Sequence, residues 1–251
     1  MNEEQILKGR LSDLAKRAYQ QNIYTYSNFL SPSEISQLED IRADISYIHV
    51  ETFGGNDLCE RQLAGFGSEE DFGYPGHFPI SVIKVTPLLE KFSDSLNHRD
   101  FLGALMHLGI ERDTLGDILI KESTAYVFCL ENIANYICQE LTKVKHTNVK
   151  CEITDMDIPA LQPVFAKKEF PAASLRLDGI LANLLKCSRK EALSLFEDKR
   201  VILNGRITGR NSITLKEGDV FSVRGHGKFI FDGCGGNTRK GKIYVHIRQY
   251  V

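Results

Sequence analysis

Residues 176–207 read RLDGILANLLKCSRKEALSLFEDKRVILNGRI, and the fold of the C-terminal third turns on them. Leu177, Ile180, Leu181, Leu184 and Leu185 recur at helical spacing, which predicts an amphipathic helix. Ser188 followed three residues later by Glu191 is a capping-box pattern, so a second helix starts there, with Leu195 and Phe196 completing its apolar stripe. Asn204-Gly205 between two short apolar runs predicts a hairpin, because both central residues need positive φ. LKEGDVFSVRG (215–225) then gives a turn and a strand in which Phe221 and Val223 alternate with Val220, Ser222 and Arg224. Two short helices on a small antiparallel sheet are expected.

Positive charge gathers on these elements, although the chain of 251 residues has a formal net charge of −2. Residues 173–251 hold 15 Lys and Arg against 7 Asp and Glu; residues 1–172 hold 16 against 26. A basic end on an acidic body points to a polyanion-binding module joined to a part with another task. Arg189 and Lys190 belong to the start of the second helix, where open backbone N–H groups and the helix dipole attract phosphate. Lys199, Arg200 and Arg206 extend the charge to the hairpin, and Arg176 opens the first helix on the same face. Asp178 is expected to brace, since a carboxylate facing phosphate is repelled. Ser188 and Asn204 complete this face. Downstream, Arg224, His226, Lys228, Arg239, Lys240 and Lys242 add further charge, and Val245, Ile247 and Tyr250 predict a final strand. The bland reading of NTRKGK (237–242) is a solvated hairpin tip.

Upstream, residues 5–21 read as a helix and SPSEISQLEDI (31–41) as a second one, capped by Ser31 and Glu34. ISYIHVETF (45–53) reads as a strand, followed by a Gly54-Gly55 turn and a short strand near 61–66. Next come a strand (78–85), a helix capped by Asn97 (97–109), two strands (116–120 and 124–130), a helix (131–144) and a strand (147–154). That β-α-β-β-α-β order is ferredoxin-like. RNA-recognition motifs share it, but their aromatic, Gly-rich strand signature is missing, so base stacking on this sheet is not expected. The expected class is α+β. An N-terminal α/β domain would span 1–74, the ferredoxin-like domain 75–155, a proline-bearing linker 156–172 and the basic domain 173–251.

The stretch 176–225 resembles the S-four (αL-type) RNA-binding domain. It shares Arg-Leu-Asp opening the first helix, Ser-Arg opening the second, a basic residue before the hairpin, a Val-x-Leu-Asn-Gly turn and a closing Gly-Asp strand. On FGGNDLCER, HRDFLGALMHLGIERDTLGDI, the S-four region and GKFIFD with NTRKGKIYV, the chain is similar to the YlmH proteins nearly end to end. The resemblance implies a non-enzymatic, monomeric RNA-binding protein with a β extension after its S-four domain. Its partners would be rRNA and tRNA on the large ribosomal subunit, with peptidyl-tRNA, in ribosome-associated quality control. A link to cell division is weaker.

HRD (98–100) reads as a capped helix start and not a kinase loop, because no Gly-rich loop or Asp-Phe-Gly accompanies it. His98 and Arg99 are secondary candidates for RNA contact. RLDG (176–179) matches the catalytic triplet of pseudouridine synthases, but the rest of the chain does not resemble their catalytic domain. An RNA-modifying enzyme with an unrecognised catalytic domain, or an adaptor joining a protein partner to RNA, are the rival readings. No catalytic residue, metal site or cofactor is expected, and neither is DNA as a partner. The six cysteines show no zinc-ligand spacing and read as buried or incidental thiols. Without an apolar leader or a run of membrane-spanning length, a cytoplasmic location is expected.

Overall fold

The computed structural model describes residues 3–89, 95–156, 158, 161, 164–239 and 241–250, less the side chains of Arg206 and Asn237. The chain is α+β and divides into two compact units, 1–162 and 163–251.

In the first unit, α1 (Glu3–Gln21) leads into the two-residue strand β1 (Thr25–Tyr26) and then α2 (Pro32–Ile41). The Ser31 hydroxyl accepts the Glu34 N–H, and the Glu34 carboxylate accepts the Ser31 N–H at 2.7 Å. β2 (Val50–Phe53) and β3 (Leu63–Phe66) pair antiparallel, and β1 adds to the other side of β3. One face of this sheet packs Val50, Ala64 and Phe66 with Leu11, Ala15, Leu38 and Ile41 of the helices. The strand expected over 45–53 begins only at Val50. Ile45 and Ile48 continue the spacing of Ile41 through successive turns and enter the helical core instead. A single turn, α3 (Glu69–Phe72), follows its Ser68 cap.

β4 (Ile80–Pro87), α4 (His98–His107), β5 (Leu115–Lys121), β6 (Thr124–Leu130), α5 (Glu131–Glu140) and β8 (Thr147–Thr154) keep the order read from the sequence, with β7 (Lys143–Val144) inserted before the last strand. The sheet order is β5-β6-β4-β8-β7, every pair antiparallel, which puts the first and third strands of the motif at the centre. On one face, Phe101, Leu105, Ala134 and Ile137 of α4 and α5 meet Ile83, Val85, Ala125 and Val127. On the other, Phe29, Cys59 and Leu63 meet Ile80, Val82, Tyr126 and Phe128.

Two glycines permit that second contact. A Cβ on Gly116 would lie 2.7 Å from the Phe29 ring, and one on Gly55, at φ +92°, would lie 2.6 Å from Phe128. Gly116→Ala is therefore expected to destabilise the first unit by about 1–3 kcal/mol through overpacking. Urea unfolding measures this, and an unshifted midpoint would contradict it.

The second unit opens with β9 (Phe165–Ala172), followed by α6 (Leu177–Leu184), α7 (Arg189–Glu197), β10 (Val201–Leu203), β11 (Arg206–Ile207), β12 (Val220–Val223), β13 (Gly227–Asn237) and β14 (Ile243–Tyr250). The six strands form one antiparallel sheet, ordered β11-β10-β12-β13-β14-β9. Leu177, Ile180, Leu181, Leu184, Leu195 and Phe196 of the helices pack on Val201, Phe221, Val223, Phe229, Phe231, Val245 and Ile247. The linker expected over 156–172 is corrected from Phe165 onward, where the chain is the edge strand β9, fully paired with β14. Pro171 is tolerated there because an edge strand has one unpaired side.

Candidate nucleic-acid interface

Asp178 in the first turn of α6 is 1% exposed. Its Oδ1 accepts from Arg176 Nε at 3.1 Å and from the Gly179 N–H at 2.8 Å. Its Oδ2 accepts from Arg176 Nη2 at 2.9 Å and from Arg189 Nη2 at 3.0 Å. The two arginine side chains remain 41% and 64% exposed. One buried carboxylate thus ties the start of α6 to the start of α7, holds two guanidinium groups at the surface and leaves the trio with a net positive charge. Burial pushes the Asp178 carboxyl up, but the bonds from Arg176, Arg189 and Gly179 outweigh it and hold the group below the ordinary carboxylate range. Asp178 raises the Arg176 guanidinium in turn.

The two helix starts differ. At α6, the Leu177 and Asp178 N–H groups donate to the carbonyls of Ile213 and Asn211, at 2.8 and 3.1 Å. At α7, the Ser188 hydroxyl takes the Glu191 N–H at 3.2 Å and the Glu191 carboxylate takes the Ser188 N–H at 2.7 Å. That bond lowers the Glu191 carboxyl. Among the described residues, the Arg189 and Lys190 N–H groups have no intramolecular acceptor, so α7 supplies the positive helix end. The Ser188 side chain is spent on the cap.

The other expected residues separate. Arg200 Nη2 donates to the Arg224 carbonyl at 2.6 Å, while the Arg224 N–H returns to the Arg200 carbonyl at 3.0 Å. Neither bond neutralises a cation, and both charges stay beside the exposed His226. Gly225 allows this turn: it adopts φ +86°, and a Cβ there would lie 3.0 Å from Arg200 Nη2. Lys199 takes the left-handed position after α7, at φ 55°, and its charge answers the negative helix end. Lys228 sits over the Tyr250 ring at 5.0 Å. The Asn204 amide donates to Asp219 Oδ1 and accepts the Val220 N–H, both at 2.9 Å, so it locks the hairpin to β12. The Arg206 side chain and all of Lys240 lie outside the described residues. Arg239 and Lys242 occupy the tip between β13 and β14. The eleven residues of β13 carry that tip roughly 35 Å from the Arg224–Lys228 turn, at ~3.3 Å per residue. Sequence reasoning missed Arg210, which is exposed and adjoins the Asn211 carbonyl at the α6 start, and Lys186, the exposed left-handed residue after α6.

Residues 75–157 match the family profile described as "Putative RNA-binding domain in YlmH". Over 228 residues the chain is 29% identical to "Ribosome-associated protein quality control protein P2" of Bacillus subtilis (strain 168), covering 89% of this chain and 86% of that protein. The likeness is to the YlmH proteins, over residues 75–157 by the profile and over most of the chain by the relative. A solved structure, "Cell division protein ylmH from Streptococcus pneumoniae", superposes on 61% of this chain and 92% of its own with a TM-score of 0.51; at 17% identity it speaks to fold alone.

Much of the sequence that carries the family likeness is structural. Asp117 accepts the N–H groups of Glu60 and Arg61. Arg61 donates to the carbonyls of Phe29 at 2.7 Å and Leu115 at 3.1 Å, and Arg112 donates to Leu115 at 2.7 Å. Burial lowers both guanidinium groups. FGGNDLCER and the stretch ending in GDI thereby hold the N-terminal part onto the middle sheet. The central part of the sheet face on which an RNA-recognition motif stacks bases is covered by Phe29, Cys59 and Leu63. His98 and Arg99 are exposed at the start of α4, beside the capping box formed by Asn97 and Asp100. Asp100 pairs with Lys145 at 2.9 Å, which lowers its carboxyl. Burial raises the Cys129 and Cys151 thiols to about 12, so neither is a thiolate at neutral pH. No helix among the described residues is long and apolar enough to cross a membrane.

Proposed function

We propose that this chain is a non-catalytic RNA-binding factor. Its C-terminal unit acts as an S-four domain that grips structured rRNA and tRNA on the large ribosomal subunit, with peptidyl-tRNA present, during ribosome-associated quality control in the cytoplasm. The observation that carries this reading is the Arg176–Asp178–Arg189 bracket. Two guanidinium groups are fixed at the surface beside the open N-terminus of α7, an arrangement suited to successive phosphates of a folded RNA backbone. The likeness to a ribosome-associated quality-control protein supplies the setting. The bracket also bears on the enzyme reading, because an Asp178 enclosed by two arginines has no open face for a substrate.

Phosphate gripping makes binding salt-dependent, since each contact releases condensed counterions. Lys190→Gln with Lys199→Gln is expected to reduce the slope of log affinity against log salt by about 2, roughly one per phosphate contact. Filter binding of the full chain to a structured ribosomal RNA fragment measures this. An unchanged slope would show that neither lysine meets a phosphate.

A further inference from the structure

The N-terminal part holds a cleft among residues outside the basic C-terminal unit. Residues 1–74 contain 6 Lys and Arg against 13 Asp and Glu, so this part repels a polyanion. The face of its three-stranded sheet turned away from the helices carries Tyr26, Glu51, Phe53 and Gly65, and a cleft of about 390 Å³ opens there.

The walls are Tyr24, Tyr26, Phe53 and Phe78. The ring centroids of Tyr26 and Phe78 lie 5.2 Å apart and those of Phe53 and Phe78 lie 5.5 Å apart. Tyr24 and Tyr26 are nearly parallel at 6.4 Å. The floor is Gly65, where a Cβ would meet Phe78 at 2.9 Å and Tyr26 at 3.1 Å; a glycine there lets the rings close over the strand. Glu51 and Glu69 stand exposed at the rim, and among the described residues neither has an ion-pair partner. His49 is the one basic side chain along the lining. The local field is negative. Burial first, then Tyr74 and Glu69, raise the Tyr24 phenol. Burial raises that of Tyr26, with Glu51 among the charges adding to it. The carboxylates' share of these shifts has the sign that favours a cation.

We propose that this cleft binds an arginine or lysine side chain carried on a basic polypeptide. The rings offer π-faces to the cation and its aliphatic stem, and Glu51 and Glu69 supply the opposing charge. A nucleobase also stacks on such walls, but it would bring its phosphate into the field of the same carboxylates.

Calorimetric titration of the full chain with a short Gly-Arg repeat peptide tests the site. The wild-type chain is expected to bind it, and Glu51→Gln with Glu69→Gln to weaken binding by roughly tenfold, because two exposed charge pairs together supply that order of energy. A Gly-Glu repeat peptide should not bind. Affinity for a structured RNA should stay unchanged in this variant, which separates failure here from failure of the RNA-binding reading. The proposal is overturned by no peptide binding to the wild-type chain, by equal affinity in the two proteins, or by photo-crosslinking of Tyr24 and Tyr26 to RNA.

Discussion

Arg176→Ala combined with Arg189→Ala is expected to destabilise the C-terminal unit by about 3–5 kcal/mol at neutral pH, the usual cost of stripping the partners from a buried charge. The double change leaves the Asp178 carboxylate enclosed, with the Gly179 N–H as its remaining donor among the bonds described above. The pH dependence has a definite sign. In the intact chain the folded-state carboxyl titrates below its unfolded value of ~3.9, so its contribution is complete above that pH and fades as pH falls through the folded value. In the double variant burial is opposed among these contacts only by the Gly179 N–H bond and raises the folded value. The deficit should then open as pH rises above about 4 and shrink in acid. Adding Asp178→Asn should recover part of the loss, because a neutral amide carries no charge to desolvate. Hydrogen exchange on α6 and β12 across this pH range reads the effect. A deficit that is the same in acid and at neutrality would mean that the carboxylate is not what the arginines support.

Charge reversal at Lys190, Lys199 and Arg224 is expected to weaken RNA binding by roughly 100-fold or more at physiological salt, since each lost phosphate contact costs several-fold and each new carboxylate adds repulsion. The three side chains are exposed and, among the described residues, have no acidic partner, so the substitutions spare the fold. Arg189→Glu is a poorer test, although the sequence makes it the obvious one. It would place a second carboxylate against Asp178 and confuse a binding defect with an unfolding one. Unaltered circular dichroism with a large rise in dissociation constant is the expected pair of results. Wild-type affinity in the triple variant would remove the α7 face from the interface.

The parts of the fold visible in the sequence are those governed by local rules. The Ser31, Asn97 and Ser188 caps and the Asn204-Gly205 hairpin are short-range patterns, and each folds as its own residues dictate. The strand β9 was hidden because its partner β14 lies about seventy residues further on, and because Pro171 and the Lys167-Lys168 pair mask the alternation of Lys168, Phe170 and Ala172 with outward positions. The helical role of Ile45 and Ile48 was hidden for a related reason: β-branched residues also favour strands, and only the packing against α1 decides.

The candidate site was legible in composition more than in geometry. Arg176, Arg189, Lys190, Arg200 and Arg224 can be named from charge and capping alone. That Arg176 and Arg189 share one buried carboxylate, that Asn204 is consumed by Asp219 and Val220, and that Arg239 and Lys242 stand at the far end of β13 all depend on long-range pairing. The stretches carrying the family likeness in the first unit, which invite a functional reading, turn out to join the N-terminal part to the middle sheet through Arg61, Arg112 and Asp117. The cleft at Gly65 left no sequence signal, because its aromatic walls come from β1, β2 and the segments just before β1 and β4.

Cryo-electron microscopy of ribosomal particles recovered with the tagged full-length chain tests the central claim most directly. The account predicts density for the C-terminal unit on the large subunit, with Arg176, Arg189 and the start of α7 against RNA phosphates. Particles in which this face points into solvent, while the protein is held through other surfaces, would contradict it.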